Sequence, residues 1–122
     1  MGILGLGNDI VEISRIEKAI LKKGFLEKVF TEKEIELIKS KGGRAESYAG
    51  RFSAKEAISK AFGTGVRGFK LTDIEILNDE LGKPIVSLKG ILKEREKKVK
   101  IELSISHCKE YATAVALVLE RM

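Results

Sequence analysis

Four side chains at positions 48, 52, 56 and 60 share one stripe if the surrounding segment is helical: Tyr48, Phe52, Glu56 and Lys60. A carboxylate that continues an apolar stripe is partly withdrawn from water and needs a cation. Lys60, one turn on, is the ordinary partner, in a helical Glu–Lys pair worth a few tenths of a kcal/mol. A metal ion is the other. Asp9 is the second carboxylate of interest, placed just past the apolar residues 3–7 and the glycines Gly5 and Gly7. Alone it is as well explained as a turn or N-cap residue. Brought beside Glu56 it would complete a two-carboxylate site, the usual protein contribution to Mg2+ held together with substrate phosphates. Arg51 and Lys55 add positive charge on an adjoining face.

Composition narrows the chemistry. The 122 residues suit one domain, 1–122, and contain one histidine, His107, and one cysteine, Cys108. Multi-histidine and multi-thiolate metal centres and an internal disulfide framework are thereby excluded, leaving oxygen ligands for any metal. The formal net charge is +5, which points to an anionic partner without choosing among nucleic acid, membrane, phosphate and acidic protein. The first ten residues have no basic region and meet Asp9 too soon for a signal peptide, and Leu6 stands where a myristoylation motif wants Ser or Thr. The longest apolar run, 112–119, is too short for a membrane span. The expectation is a cytoplasmic protein.

Other features carry weaker signals. Gly63-Thr64-Gly65-Val66-Arg67-Gly68 matches GxGxxG formally, but it follows a helix and opens a strand, the reverse of a dinucleotide fingerprint. It reads as a helix stop and turn, with phosphate binding requiring backbone N–H groups plus Arg67 or Lys70. His107 stands at a hairpin tip after Ser104 and Ser106, without an acid beside it, and fits a hydrogen-bonded turn residue. No basic partner for Cys108 is fixed by sequence, so no reactivity is assigned to it. Arg15, Lys18, Lys22 and Lys23, followed by Phe25, make a basic face that could dock an acidic partner or simply face solvent.

These side chains must be positioned by a fold whose elements alternate in type. A short strand over 3–7 precedes a helix from Ser14, with Glu17 completing a capping box, to Gly24. Thr31 and Glu34 open a second helix that ends near Gly42–Gly43. Residues 44–62 form the strongest helical pattern. Alternation then predicts strands over 71–77 and 84–88, joined by a turn ending Gly82-Lys83-Pro84. A short charged helix covers 91–98, and strands over 100–106 and 111–119 close the chain. The expected fold class is α+β: an antiparallel sheet packed with a long central helix and shorter N-terminal helices.

Taken together, five blocks carry a resemblance. Gly5-Leu6-Gly7-Asn8-Asp9-Ile10-Val11-Glu12-Ile13 with Arg15-Ile16 resembles the N-terminal signature of holo-acyl-carrier-protein synthases, and Phe30-Thr31-Glu32-Lys33-Glu34 their second block. Gly50-Arg51-Phe52-Ser53-Ala54-Lys55-Glu56-Ala57, then Lys60-Ala61-Phe62-Gly63-Thr64-Gly65, is similar to their central signature. Gly82-Lys83-Pro84 and Ser104-Ile105-Ser106-His107 with Tyr111-Ala112 resemble the last two blocks. The blocks run in order from about residue 4 to 120.

The resemblance implies a Mg2+-dependent phosphopantetheinyl transferase of the short trimeric type. Such enzymes move the 4′-phosphopantetheine arm of coenzyme A to a serine of apo acyl carrier protein, release adenosine 3′,5′-bisphosphate, and serve fatty acid biosynthesis. By position it implies Asp9 and Glu56 as metal ligands and Lys60 as proton acceptor or charge stabiliser. It places Arg51, Gly63, Thr64, Gly65, Pro84, Ser106 and His107 at coenzyme A, and Arg15, Lys18, Lys22, Lys23 and Phe25 at the acidic carrier protein. It further implies active sites between subunits, with no nucleic-acid or membrane partner. The segment 91–100 is the least family-like. The alternative is a small basic nucleic-acid-binding module, which the interleaved charges and 6% aromatic content disfavour.

Overall fold

A computed structural model describes residues 2–63 and 66–122. Three antiparallel strands, β1 (Ile3–Glu12), β4 (Val99–His107) and β5 (Tyr111–Glu120), form one sheet in the order β1-β5-β4. The strands β2 (Ile74–Asn78) and β3 (Pro84–Leu88) form a separate hairpin, with Asn78 opposite Pro84. Among the described residues four α-helices accompany them: α1 (Ile13–Ala19), α2 (Phe25–Val29), α3 (Glu32–Ser40) and the 18-residue α4 (Ala45–Phe62). The α+β expectation holds.

The position of α4 follows from small residues on both sides of one interface. Ala54, Ala57 and Ala61 of the helix and Ala114 and Ala116 of β5 are buried with Ile58, Ile74, Ile76 and Val118. On β1 the inward positions include Gly5 and Gly7, and a Cβ on either would stand 1.9 Å from the Ala61 carbonyl oxygen or 2.0 Å from that of Ala57. Only glycine permits so close an approach of strand to helix. A second apolar cluster, including Ile13, Ile16, Phe30, Ile38 and Tyr48, seats the N-terminal helices on the first half of α4. There the Phe30 and Tyr48 rings meet edge to face with centroids 5.4 Å apart.

Several local expectations are revised. β1 continues through Glu12, so Asp9 lies within a strand rather than past its end; pairing with β5 carries it on. α1 begins at Ile13 after an extended Glu12 and has no side-chain cap, so the Ser14–Glu17 capping box does not form; the edge hydrogen bond of Ile13 N–H to the Glu110 carbonyl starts the turn instead. The Thr31–Glu34 box does form, with Thr31 accepting from the Glu34 N–H and Glu34 from the Thr31 N–H. Residues 25–29 make an extra helical turn. Leu71–Asp73 is a 3-10 turn ahead of β2, and the charged segment Gly90–Lys97 is 3-10 rather than α-helical. No described helix is long and apolar enough to cross a membrane.

Candidate active site

The close approach that Gly5 and Gly7 allow carries Asp9, two residues further along β1, onto the flank of α4. Alternation along the strand turns Asp9 inward with Gly7 and Val11, while Leu6, Asn8 and Ile10 face out. Asp9 Oδ1 lies 3.0 Å from the Lys60 ammonium, which also donates to the Asn8 carbonyl at 3.1 Å. The Ser53 hydroxyl, fully buried two turns before Lys60, lies 3.0 Å from the Asp9 carbonyl and 3.2 Å from Oδ2. The Thr113 hydroxyl on β5 donates to the same carbonyl at 2.7 Å. Asp9 is thus braced from the helix and from the neighbouring strand. Ser53 and Thr113 had no signal in the sequence, since their role exists only through the strand–helix contact.

Glu56 occupies the next turn of α4 before Lys60. Among the described residues its carboxylate accepts no hydrogen bond. Partial burial, and then the Asp9 carboxylate, push it above its ordinary value, with Lys60 offsetting part of the effect. Two carboxylates that repel, one without a hydrogen-bond donor, in an all-oxygen set are what a hard divalent cation fits. No group of three or more His, Cys, Asp or Glu side chains suited to a metal exists among the described residues. Any ion at Asp9 and Glu56 therefore needs further oxygens from a substrate or water.

The remaining expected residues fall in separate places. Arg51, on the preceding part of α4, donates through Nε to the Ile76 carbonyl at 3.1 Å and through Nη2 to the Asn78 side chain, so it faces the β2–β3 hairpin that begins its return at Pro84. Lys55 does not add to the positive surface: it is fully buried, and its ammonium donates to Glu34 at 2.6 Å and to the Val29 and Leu71 carbonyls. Gly63 caps α4 with φ +63°, and its N–H reaches the Ser59 and Lys60 carbonyls; Thr64 and Gly65 lie outside the described residues. Ser106 and His107 end β4 beside a 330 Å³ apolar hollow shared with Ile10, Cys108, Tyr111 and Thr113. Ser106 pairs with Thr113 and thence with Ile10 on the sheet's outer face, opposite to Asp9. One chain therefore gathers Asp9, Glu56 and Lys60 but leaves Ser106 and His107 apart from them.

A second cavity of about 560 Å³ lies between α1 and α4, lined by Arg15, Lys18 and Lys22 around Val11, Phe25 and Phe52. The Phe25 and Phe52 rings stand 6.3 Å apart at its floor. Lys23, expected with this group, is exposed but is not part of the lining.

Known proteins share the sequence and the fold of this chain. The 4′-phosphopantetheinyl transferase superfamily model matches residues 5–116. The holo-[acyl-carrier-protein] synthase of Fusobacterium nucleatum is 60% identical over 121 residues, covering 96% of this chain and 99% of the relative. A Bacillus anthracis holo-(acyl-carrier-protein) synthase, solved in complex with CoA (3′,5′-ADP), superposes with a TM-score of 0.82 at 43% identity over 98% of both chains. The Helicobacter pylori holo-[acyl-carrier-protein] synthase in complex with coenzyme A does so with a TM-score of 0.80 at 36% identity, over 93% of this chain and 98% of that one. By family match, identity and shared fold, the chain belongs to the 4′-phosphopantetheinyl transferase superfamily.

Proposed function

We propose that the protein transfers 4′-phosphopantetheine from coenzyme A to a serine of apo acyl carrier protein, releasing adenosine 3′,5′-bisphosphate, as a Mg2+-dependent enzyme of fatty acid biosynthesis. The observation that carries this is the convergence of Asp9, Glu56 and Lys60 at one strand–helix contact, in a chain of this family. In the reaction the serine oxygen forms a new bond to the phosphopantetheine phosphorus as the pyrophosphate bridge breaks, its proton passing to water and the bridging oxygen leaving with adenosine 3′,5′-bisphosphate. Both events concentrate negative charge on phosphate oxygens. Bound Mg2+, with Asp9 and Glu56 as its protein ligands, supplies neutralisation of that charge. Lys60 Nζ, already a donor to Asp9 and Asn8, is placed to stabilise charge as an ammonium at the edge of the same site.

The groove between α1 and α4 fits the carrier protein. It combines three cationic side chains with an aromatic floor, the complement of an acidic helix that has apolar residues on one face. The concentration of these bases in one apolar-floored groove argues for protein rather than nucleic acid. Trimer formation is supported by the outer sheet face, where Leu4, Leu6, Ile10 and Val115 are each 45–66% exposed. A neighbouring copy seated there would cover this patch and bring its own Asp9 and Glu56 toward Ser106 and His107, completing the coenzyme A site with Arg51, Pro84 and residues 63–65. A cytoplasmic location follows from the substrates.

The test is incubation with apo carrier protein, coenzyme A and Mg2+, followed by intact-mass measurement of the carrier protein. A phosphopantetheine mass gain that requires all three components is expected. Unmodified carrier protein with wild-type enzyme under saturating conditions would overturn the assignment.

A further inference from the structure

Among the described residues strand β2 pairs with β3 alone, and its other edge is closed by charged side chains. Ile76 lies opposite Val86, and its N–H and C=O are both taken by groups outside the hairpin. The N–H donates to Glu34 Oε2 at 2.7 Å, and the C=O accepts from Arg51 Nε at 3.1 Å. Glu34 sits at the start of α3 and Arg51 on α4, so one residue of β2, through the peptide units on either side of its Cα, is held from two helices. The clamp extends to the hairpin tip: Arg51 also donates to Asn78 Oδ1, and Asn78 Nδ2 donates to the Gly82 carbonyl at 2.9 Å.

Glu34 is fully buried and fully used. Its Oε1 accepts from the Thr31 N–H at 2.8 Å and from Lys55 at 2.6 Å, leaving Oε2 for Ile76. The Lys55 ammonium spends its three donors on Glu34, Val29 and Leu71. A buried pair of this kind adds little net stability compared with apolar residues of the same size. Its geometry, however, is fixed: three elements can meet at Glu34 in only one arrangement.

We infer that Glu34, neutralised by Lys55, is a positioning residue for coenzyme A: through the Ile76 peptide it holds the hairpin against α4 and sets the Gly82–Pro84 turn beside Arg51. This rests on the proposed placement of coenzyme A at Arg51 and Pro84. Glu34→Gln keeps the oxygen that faces Lys55 and turns an amide NH2 toward the Ile76 N–H, replacing an acceptor with a donor. Pairing it with Lys55→Met removes the buried charge.

The experiment measures coenzyme A affinity by calorimetry, steady-state kinetics and amide hydrogen exchange on E34Q/K55M, on Glu34→Asp and on Ile38→Ala. Glu34→Asp keeps the charge for Lys55 but is one methylene short of Ile76, and provides a second route should the double variant not fold. Ile38→Ala weakens the same helix without touching the clamp. Loss of one charge-assisted hydrogen bond predicts about a tenfold weaker coenzyme A Kd and KM, little change in kcat, and faster exchange at Ile76. Ile38→Ala is expected to lower the melting temperature with unchanged Kd. A clamp variant with faster Ile76 exchange and wild-type Kd would overturn the inference, as would an equal loss of affinity in Ile38→Ala. In the wild type, coenzyme A should slow exchange over 82–86; its failure to do so would refute the placement of coenzyme A itself.

Discussion

Replacing Gly7 with alanine tests the contact on which the site is built. The added Cβ would stand 2.0 Å from the Ala57 carbonyl oxygen and 2.7 Å from the Ala61 nitrogen, both backbone atoms of α4 that no rotamer change can move. An ordinary carbon–oxygen contact is about 3.3 Å, so strand and helix must part by about 1 Å. Overpacking of this kind costs about 1–3 kcal/mol. For a domain of this size that lowers the melting temperature by about 4–12 °C. The functional loss should be larger than the stability loss, because Asp9 rides on β1 while Glu56 and Lys60 ride on α4. A 1 Å misplacement of reacting groups costs about 100-fold in rate. The assays are differential scanning calorimetry and initial rates of carrier-protein modification at a temperature where the variant is folded. Gly2→Ala is the control, since its Cβ would meet nothing closer than 3.9 Å. A Gly7→Ala protein with wild-type melting temperature and rate would refute the close-approach argument.

Four further outcomes follow from the same geometry. Burial and Asp9 raise the folded-state value for Glu56 above its unfolded value, so its contribution favours folding below the unfolded value and is lost as pH rises through the folded one. Without metal, Glu56→Gln should therefore melt higher than wild type at neutral pH, with the gap closing toward pH 4, and Mg2+ should stabilise only the wild type; a pH-independent gap in calorimetric scans would count against the repulsion. Lys60→Arg keeps the charge but cannot accept a proton, and is expected to retain activity within about tenfold, a much smaller loss than Lys60→Met; equal loss in both would favour a proton-accepting role. Arg15→Glu with Lys22→Glu should raise KM for the carrier protein about tenfold or more, with unchanged coenzyme A KM and a weaker salt dependence of kcat/KM. Leu6→Glu on the outer sheet face should reduce the mass measured by light scattering to that of one chain and abolish transfer, with the fold retained by circular dichroism.

Much of this was legible in the residues, for identifiable reasons. The capping box Thr31–Glu34, the alanine-rich α4 and the Gly82–Pro84 turn are local signals, and the structure keeps all three. The i, i+4 stripe placed Glu56 and Lys60 together, and the position of Asp9 just past the apolar residues 3–7 made it the second candidate carboxylate, to which the family resemblance added the role of metal ligand. Local pattern failed where the cause was tertiary. Gly5 and Gly7 admit the backbone of α4, a contact that no local pattern announces. Lys55 was expected to add positive charge on a face adjoining Glu56, yet it is buried against Glu34 from another helix. The Ser14–Glu17 pair had the capping spacing, but pairing with β5 extends β1 and starts the helix one residue earlier. Ser53 and Thr113 brace Asp9 only after strand and helix have packed.

The most direct test of the two-carboxylate site is to titrate Mg2+ into wild type, Asp9→Asn and Glu56→Gln in the presence of coenzyme A, following bound metal by calorimetry and transfer by the mass of the carrier protein. Metal binding and transfer are expected in the wild type, with both lost together in each variant while circular dichroism shows an intact fold. Undiminished Mg2+ binding and phosphopantetheine transfer by either variant would contradict the placement of the reaction at Asp9 and Glu56.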